Sequence, residues 1–232
     1  MSAHQYLFRP QPTPAVAIDG EGALFPIRRI FCVGLNYAAH AREMGKDPGA
    51  EPPFFFTKPA DAIVASGSII PYASMTSNLH HEIELVVALG SGGANILPEE
   101  ALGHVYGYAA GIDLTRRDLQ KQARDGGKPW DFAKGFDQSA PIGAIRPAAK
   151  IGHPAKGRIT LKVNGATRQD GDLSDMILDV ARIIAEISRY VALAPGDLIF
   201  TGTPEGVGPL VPGDRVEGTI AGVGSVSVGI AA

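Results

Sequence analysis

Leu79-His80-His81-Glu82-Ile83-Glu84-Leu85-Val86-Val87-Ala88-Leu89-Gly90 ends as an apolar run rich in valine and leucine, the composition of a buried strand. Glu82 and Glu84 stand two apart at its start. On a strand, residues i and i+2 point to one face. Two carboxylates on one face of a buried strand repel each other and lose hydration, so they need a partner. A third carboxylate, Asp113, closes another buried run, Val105–Ile112 (VYGYAAGI). Three hard carboxylates at strand ends suit Mg²⁺, Mn²⁺ or Ca²⁺, whereas zinc prefers nitrogen and sulfur. An edge strand with one glutamate in solvent and the other paired with a lysine would also accommodate the pair.

The surrounding chain supports a β-rich reading. Its 232 residues, 45% of them hydrophobic, can bury a sizeable core in one domain. Gly (29) and Pro (18) are scattered at turns, which points to many short strands. Residues 15–18 and 23–27 flank Asp19-Gly20-Glu21-Gly22 as a hairpin. Strands are expected at Arg29–Gly34, Phe54–Lys58, 63–64, 82–89 and Val105–Ile112. Asn164-Gly165 marks a two-residue hairpin between 159–163 and 166–169. Residues 36–44, 98–102, 114–124 and 173–190 read as helices, the last with Ile177, Val180, Ile183, Ile184 and Ile187 at helical spacing. The expected class is predominantly β with a few outer helices (α+β), without the strict βαβα alternation of a doubly wound sheet.

The net charge of −3 and the lack of a Lys/Arg run make nucleic acid and membrane surfaces poor partners. The single cysteine, Cys32, excludes an intrachain disulfide and reads as a buried, inert thiol. No secretory signal or membrane-length apolar stretch is visible, so a cytoplasmic location is expected.

The set CVGLNYAAHAREM, FFFTKPADAI, NLHHEIELVVALG, GYAAGIDLTRRDLQ, KPWDFAKGFDQSAPIG and GDLIFTGTPEGVG resembles the fumarylacetoacetate hydrolase superfamily, and more narrowly its short bacterial acylpyruvate and fumarylpyruvate hydrolases. The likeness covers residues 29–232, the expected catalytic domain; residues 1–28, an arm and hairpin, are less characteristic. It implies a β-roll or sandwich, a homodimer, and one divalent cation held by Glu82, Glu84 and Asp113. The long fumarylacetoacetate hydrolases carry a further aspartate ligand on a separate N-terminal domain. Its absence here weighs against fumarylacetoacetate as substrate.

His40 and Glu43 share a helix face three residues apart. In isolation they read as a surface pair; the resemblance implies a water-activating dyad on a mobile helix, with hinges at Gly34 and residues 45–49. Lys134 reads either as a turn lysine or, by resemblance, as the group that steadies an oxyanion. Lys58 either reaches solvent from a strand end or projects into the site. By resemblance Gln120, on the helix beyond Asp113, and Thr203, in the loop Thr201-Gly202-Thr203-Pro204-Glu205-Gly206-Val207-Gly208, contact substrate. That loop lacks phosphate-loop spacing. Arg116 and Arg117 can meet an anion, with Arg117 the one assigned to substrate, and a helix-surface ion pair is open for either.

The implied reaction is hydrolysis of the C3–C4 bond of a 2,4-dioxo acid, an acylpyruvate such as fumarylpyruvate, giving pyruvate and a carboxylic acid. Oxaloacetate decarboxylation or 2-oxo acid tautomerisation would use the same metal enolate. A metal-stabilised structural protein is the reading from a different class.

Overall fold

The computed structural model describes residues 6–47 and 54–232. Residues 6–13 have no regular structure and are exposed. The expected first hairpin forms from β1 (Ala15–Ala17) and β2 (Leu24–Pro26). Next come β3 (Arg29–Gly34), α1 (Ala38–Glu43), β4 (Phe54–Lys58), β5 (Ile63–Ala65) and β6 (Ser68–Ile70). β7 (Leu79–His81) and β8 (Ile83–Leu89) follow, then α2 (Pro98–Ala101), β9 (Val105–Ile112), β10 (Thr115–Arg116), α3 (Arg117–Asp125) and α4 (Asp131–Lys134). The remainder is β11 (Ala140–Ile142), β12 (Arg146–Pro147), α5 (Ala148–Ile151), β13 (Arg158–Val163), β14 (Ala166–Asp172), α6 (Val180–Tyr190), β15 (Asp197–Phe200), β16 (Gly208–Leu210), β17 (Arg215–Ile220) and β18 (Gly224–Ile230).

The large sheet runs β4-β3-β15-β8-β9-β11-β5, with β12 also on β9. A five-stranded sheet, β14-β13-β17-β18-β6, packs on one face of it, and β10-β7-β16 forms a third, small sheet. β8 is buried along its whole length because both of its faces are covered. Leu85, Val87 and Leu89 enter the core shared with the five-stranded sheet and α6. Val86 and Ala88 enter a second cluster with Ile30, Cys32, Ala109, Phe200 and the apolar side of the first hairpin. Gly218 lets the sheets approach: a Cβ there would lie 2.3 Å from Ile83 Cδ1. The Asn164-Gly165 turn has φ of 52° and 81°, the double positive φ of a type I′ hairpin. Cys32 is fully buried, and burial pushes its thiol well above the usual range.

Two helices are shorter than their periodicity suggests. Residues 115–116 leave the 114–124 helix because they pair with His80 and Leu79 of β7, so α3 starts at Arg117. The 173–190 segment is one 3₁₀ turn, Leu173–Asp175, and then α6. Between them Asn36 captures the backbone: Ile177 N donates to Asn36 O (2.7 Å), Leu178 N to Asn36 Oδ1 (2.7 Å), and Asn36 Nδ2 to Leu178 O (2.9 Å). Asp179 then caps α6, accepting from Arg182 N at 2.8 Å. Of the hinges expected around α1, Pro48 and Gly49 lie outside the described residues. Among the described residues no helix is long and apolar enough to cross a membrane.

Candidate active site

Period-two alternation places Glu84 on the sheet face of the second cluster, beyond Val86, and Glu82 and Asp113, each one residue beyond a strand end, lie beside it. Glu82 itself belongs to neither strand. It sits in the break where the chain passes from the small sheet to the large one, and its carbonyl accepts from Asp113 N at 2.8 Å. One oxygen from each of the three carboxylates lies within 4.8 Å of the others, and the residues are 5%, 2% and 0% exposed.

Cations compensate two of the three. Lys134 Nζ donates to Glu82 Oε2 (2.8 Å), Asp113 Oδ2 (2.7 Å) and Thr115 Oγ1 (2.7 Å). Arg117 clamps Glu82 Oε1, with its other nitrogens on Gln120 Oε1 (2.6 Å) and His80 Nδ1 (3.3 Å). Because Arg117 only donates, His80 Nδ1 must accept, and its Nε2 proton goes to Asn78 Oδ1 at 2.9 Å. Burial and Arg117 push His80 down to about 4, so it is neutral and no rival base. Burial favours a protonated Glu82, yet Lys134 and Arg117 outweigh it and hold the carboxyl well below the usual range.

Glu84 is different. Among the described residues no cation forms an ion pair with it, and its Oε2 accepts only from Gly202 N (2.7 Å). Burial, with Asp113 and Glu82 beside it, pushes its pKa well up. Asp113 Oδ1 has Lys58 Nζ 2.8 Å away as an ion pair but receives no hydrogen bond. Buried carboxylate oxygens with unspent lone pairs and one uncompensated charge fit a hard divalent cation. The sign of the pH effect follows. Glu84 has a raised folded pKa, so the metal-free fold gains protons relative to the unfolded chain. Metal-free protein should therefore become more stable as pH falls from 7 toward 5, relative to a Glu84→Gln control. Mn²⁺ affinity should weaken over the same interval, because the proton and the ion compete for Glu84. Calorimetry at several pH values tests both; a Mn²⁺ affinity flat from pH 7 to 5 would contradict this account of Glu84.

His40, on α1, bonds through Nδ1 to Glu43 Oε2 at 2.9 Å. The carboxylate accepts, so Nδ1 carries a proton and, in the neutral tautomer, Nε2 keeps the lone pair. Glu43 Oε1 in turn accepts from Gly206 N at 3.1 Å. Gly206 has φ +88°, and a Cβ there would lie 2.2 Å from Arg168 O, so only glycine presents this amide to Glu43. At Gly34 a Cβ would fall 1.8 Å from the tip of the Phe54 ring, so a side chain there would displace that ring.

A cavity of about 240 Å³ brings together His40, Glu82, Glu84, Arg117, Gln120, Lys134 and Thr203, against a wall of Phe54, Phe56 and Trp130. Trp130 meets Phe54 edge-on at 5.2 Å. Lys58 is not part of the lining. Its ammonium lies behind Asp113, donating to Leu114 O (3.1 Å) and Lys134 O. Arg116 turns away to Phe132 O (3.0 Å) and stacks over Phe136 at 4.4 Å.

Several contributing residues escape sequence reasoning. Thr115 could have been found from its period-two spacing from Asp113. Gln169, fully buried, had no signal at all: it reads as one more polar residue in a hairpin. Its Oε1 accepts from His81 Nδ1 (3.0 Å) and Ile83 N (3.1 Å), and its Nε2 donates to Thr203 Oγ1 and Pro204 O, both at 2.8 Å. With Gln169 donating to Thr203 Oγ1, the Thr203 hydroxyl proton is left for a ligand.

A family profile described as fumarylacetoacetate (FAA) hydrolase, C-terminal, matches residues 29–231. The chain is 44% identical over 182 residues, 78% of its length and 94% of the relative's, to a fumarylpyruvate hydrolase of a Ralstonia species. It is also 44% identical over 199 residues, 86% of its length and 90% of the relative's, to a mitochondrial oxaloacetate tautomerase of Mus musculus. A crystal structure of fumarylpyruvate hydrolase from Pseudomonas aeruginosa, in complex with Mn²⁺ and pyruvate, superposes with a TM-score of 0.95 at 52% identity, covering 98% of this chain and 99% of that one.

Proposed function

The chain belongs to the fumarylacetoacetate hydrolase family, as a hydrolase of carbon–carbon bonds, and we propose that it cleaves the C3–C4 bond of an acylpyruvate, fumarylpyruvate foremost, into pyruvate and a carboxylic acid. One observation carries this reading: His40, held by Glu43, lines the same small cavity as Glu82 and Glu84, two members of the buried carboxylate cluster that Asp113 completes. Water attack needs a base, and a structural ion needs none.

Glu82, Glu84 and Asp113 would hold Mg²⁺, with Mn²⁺ or Ca²⁺ compatible with the same donors. When bound, the ion supplies a Lewis acid that withdraws electrons from a chelated 2-oxo acid. His40 Nε2 takes the proton of a water attacking the C4 carbonyl, and Glu43 stabilises the imidazolium that results. Lys134 lies beside two of the three proposed metal-ligand carboxylates, Glu82 and Asp113, and donates to the developing C4 oxyanion. Its three ammonium protons are committed to Glu82, Asp113 and Thr115, so this role requires one of them to be handed over. Arg117, Gln120 and the Thr203 hydroxyl hold the substrate's oxygens. Collapse breaks C3–C4, the electron pair remains on C3, and protonation there releases pyruvate.

The tautomerase relative supports a second reading, keto–enol exchange of oxaloacetate, which needs the same donors but no attacking water. Purified protein with Mg²⁺ is expected to bleach the ultraviolet absorbance of fumarylpyruvate and acetylpyruvate with formation of stoichiometric pyruvate. Maleylpyruvate and oxaloacetate complete the panel. Oxaloacetate exchange without acylpyruvate cleavage would replace the hydrolytic reading with the second one.

A further inference from the structure

The face of α3 that carries Arg117 and Gln120 continues to Arg124, one further turn out, and Arg124 lines the same cavity. A rise of 1.5 Å per residue sets the Arg124 backbone about 10 Å along the helix from Arg117. Arg117 is clamped onto buried Glu82, whereas the Arg124 side chain is 40% exposed. Arg124 therefore stands at the mouth and Arg117 at the floor. The only polar contact of the Arg124 side chain among the described residues is a long one, Nε to Asp125 Oδ1 at 3.4 Å. Asp125 itself is held more closely by Lys121, at 2.6 Å. The terminal guanidinium nitrogens of Arg124 have no partner among the described residues, although Arg124 lines the cavity. At the floor Lys58, Lys134 and Arg117 are all spent on Glu82 and Asp113, whereas the tip of Arg124 at the mouth is not spent on any described carboxylate.

We infer that Arg124 forms an anion subsite for a carboxylate at the far end of the acyl group, so that the preferred 2-oxo acid is a dicarboxylate whose chain lies along the aromatic wall. This rests on the acylpyruvate reading and adds to it the chemistry of the acyl end. Planar Phe54, Phe56 and Trp130 suit a flat, unsaturated acyl chain between the two charged ends. A guanidinium offers a carboxylate two parallel hydrogen bonds, which a methyl-terminated acyl group cannot accept.

Two ligands that the enzyme cannot cleave isolate this subsite: 2-oxoheptanedioate and 2-oxoheptanoate, which share length and chelating head and differ only in the distal carboxylate. Their affinities for the Mn²⁺-loaded protein, measured by titration calorimetry, give a ratio. The wild type should favour the diacid by about ten- to a hundredfold, the worth of one hydrogen bond to a charged group. Arg124→Gln should bring the ratio near one, and Arg124→Lys should restore part of it. A wild type with no diacid preference, or a preference that survives in Arg124→Gln, overturns the subsite. Fumarylpyruvate turnover is scored separately. Selective diacid binding without turnover would refute the hydrolytic reading and leave the subsite standing.

Discussion

Glu84→Gln is expected to remove divalent-ion binding while making the metal-free protein harder to melt. Glutamine keeps the size of the side chain and an oxygen for Gly202 N, but removes the one carboxylate of the three that has no ion-pair partner among the described residues. Deleting that charge relieves its repulsion with Glu82 and Asp113, and for a chain of this length each kcal/mol gained raises the melting temperature by roughly 2–4 °C. The opposite result is expected at Asp113→Ala, which strands Lys58 and Lys134 without a shared anion in a buried setting, a loss of about 3–5 kcal/mol. Glu82→Ala should behave likewise, leaving Arg117 and Lys134 without their common carboxylate. Metal content and melting curves of all three variants decide the matter. Wild-type metal content in Glu84→Gln would remove that residue from the ligand set, whatever its stability.

His40→Gln is expected to lower acylpyruvate hydrolysis by ~10²–10⁴-fold, the usual contribution of a positioned general base. Glutamine can still bond to Glu43 but cannot take a proton from water. In the proposed assignment metal binding and oxalate binding rest on Glu82, Glu84 and Asp113, so both should persist. Exchange or decarboxylation of oxaloacetate needs no attacking water and should fall less than hydrolysis. Glu43→Gln should follow the same pattern more mildly, because Glu43 orients the base without being one. The readout is the ratio of hydrolysis to oxaloacetate turnover in wild type and variant at saturating Mg²⁺. A parallel fall in both would assign His40 to substrate binding or to docking of α1.

Spacing alone already grouped the carboxylates, because a period of two forces Glu82 and Glu84 to one face and the end of VYGYAAGI presents Asp113. The strands were legible for the same reason: Arg29–Gly34, Phe54–Lys58 and Val105–Ile112 are apolar runs bounded by turn chemistry. What local pattern could not show is which partner each backbone meets. Residues 115–116 have helical periodicity yet pair with β7, and residues 176–179 break a helix because Asn36 takes their hydrogen bonds. The counter-charges were hidden in the same way. Lys58 was expected at the site, and only the packing of β4 beside β3 shows its ammonium lodged behind Asp113. Gln169 joins strands far apart in sequence, a role no neighbouring residue announces.

The central place of β8 has a consequence for biosynthesis. One of its neighbours, β15, and the Gly202 amide that bonds Glu84 both come from the far end of the chain. At 5–20 residues per second, the ribosome delivers them on the order of ten seconds after Glu84 has emerged. Throughout that wait the nascent chain carries one of its most apolar strands with one edge unpaired. Charged residues flanking such a strand act as gatekeepers against intermolecular pairing, and here Glu82 and Glu84 stand at the strand's entrance. The carboxylates that burden the finished, metal-free fold thus protect the unfinished one.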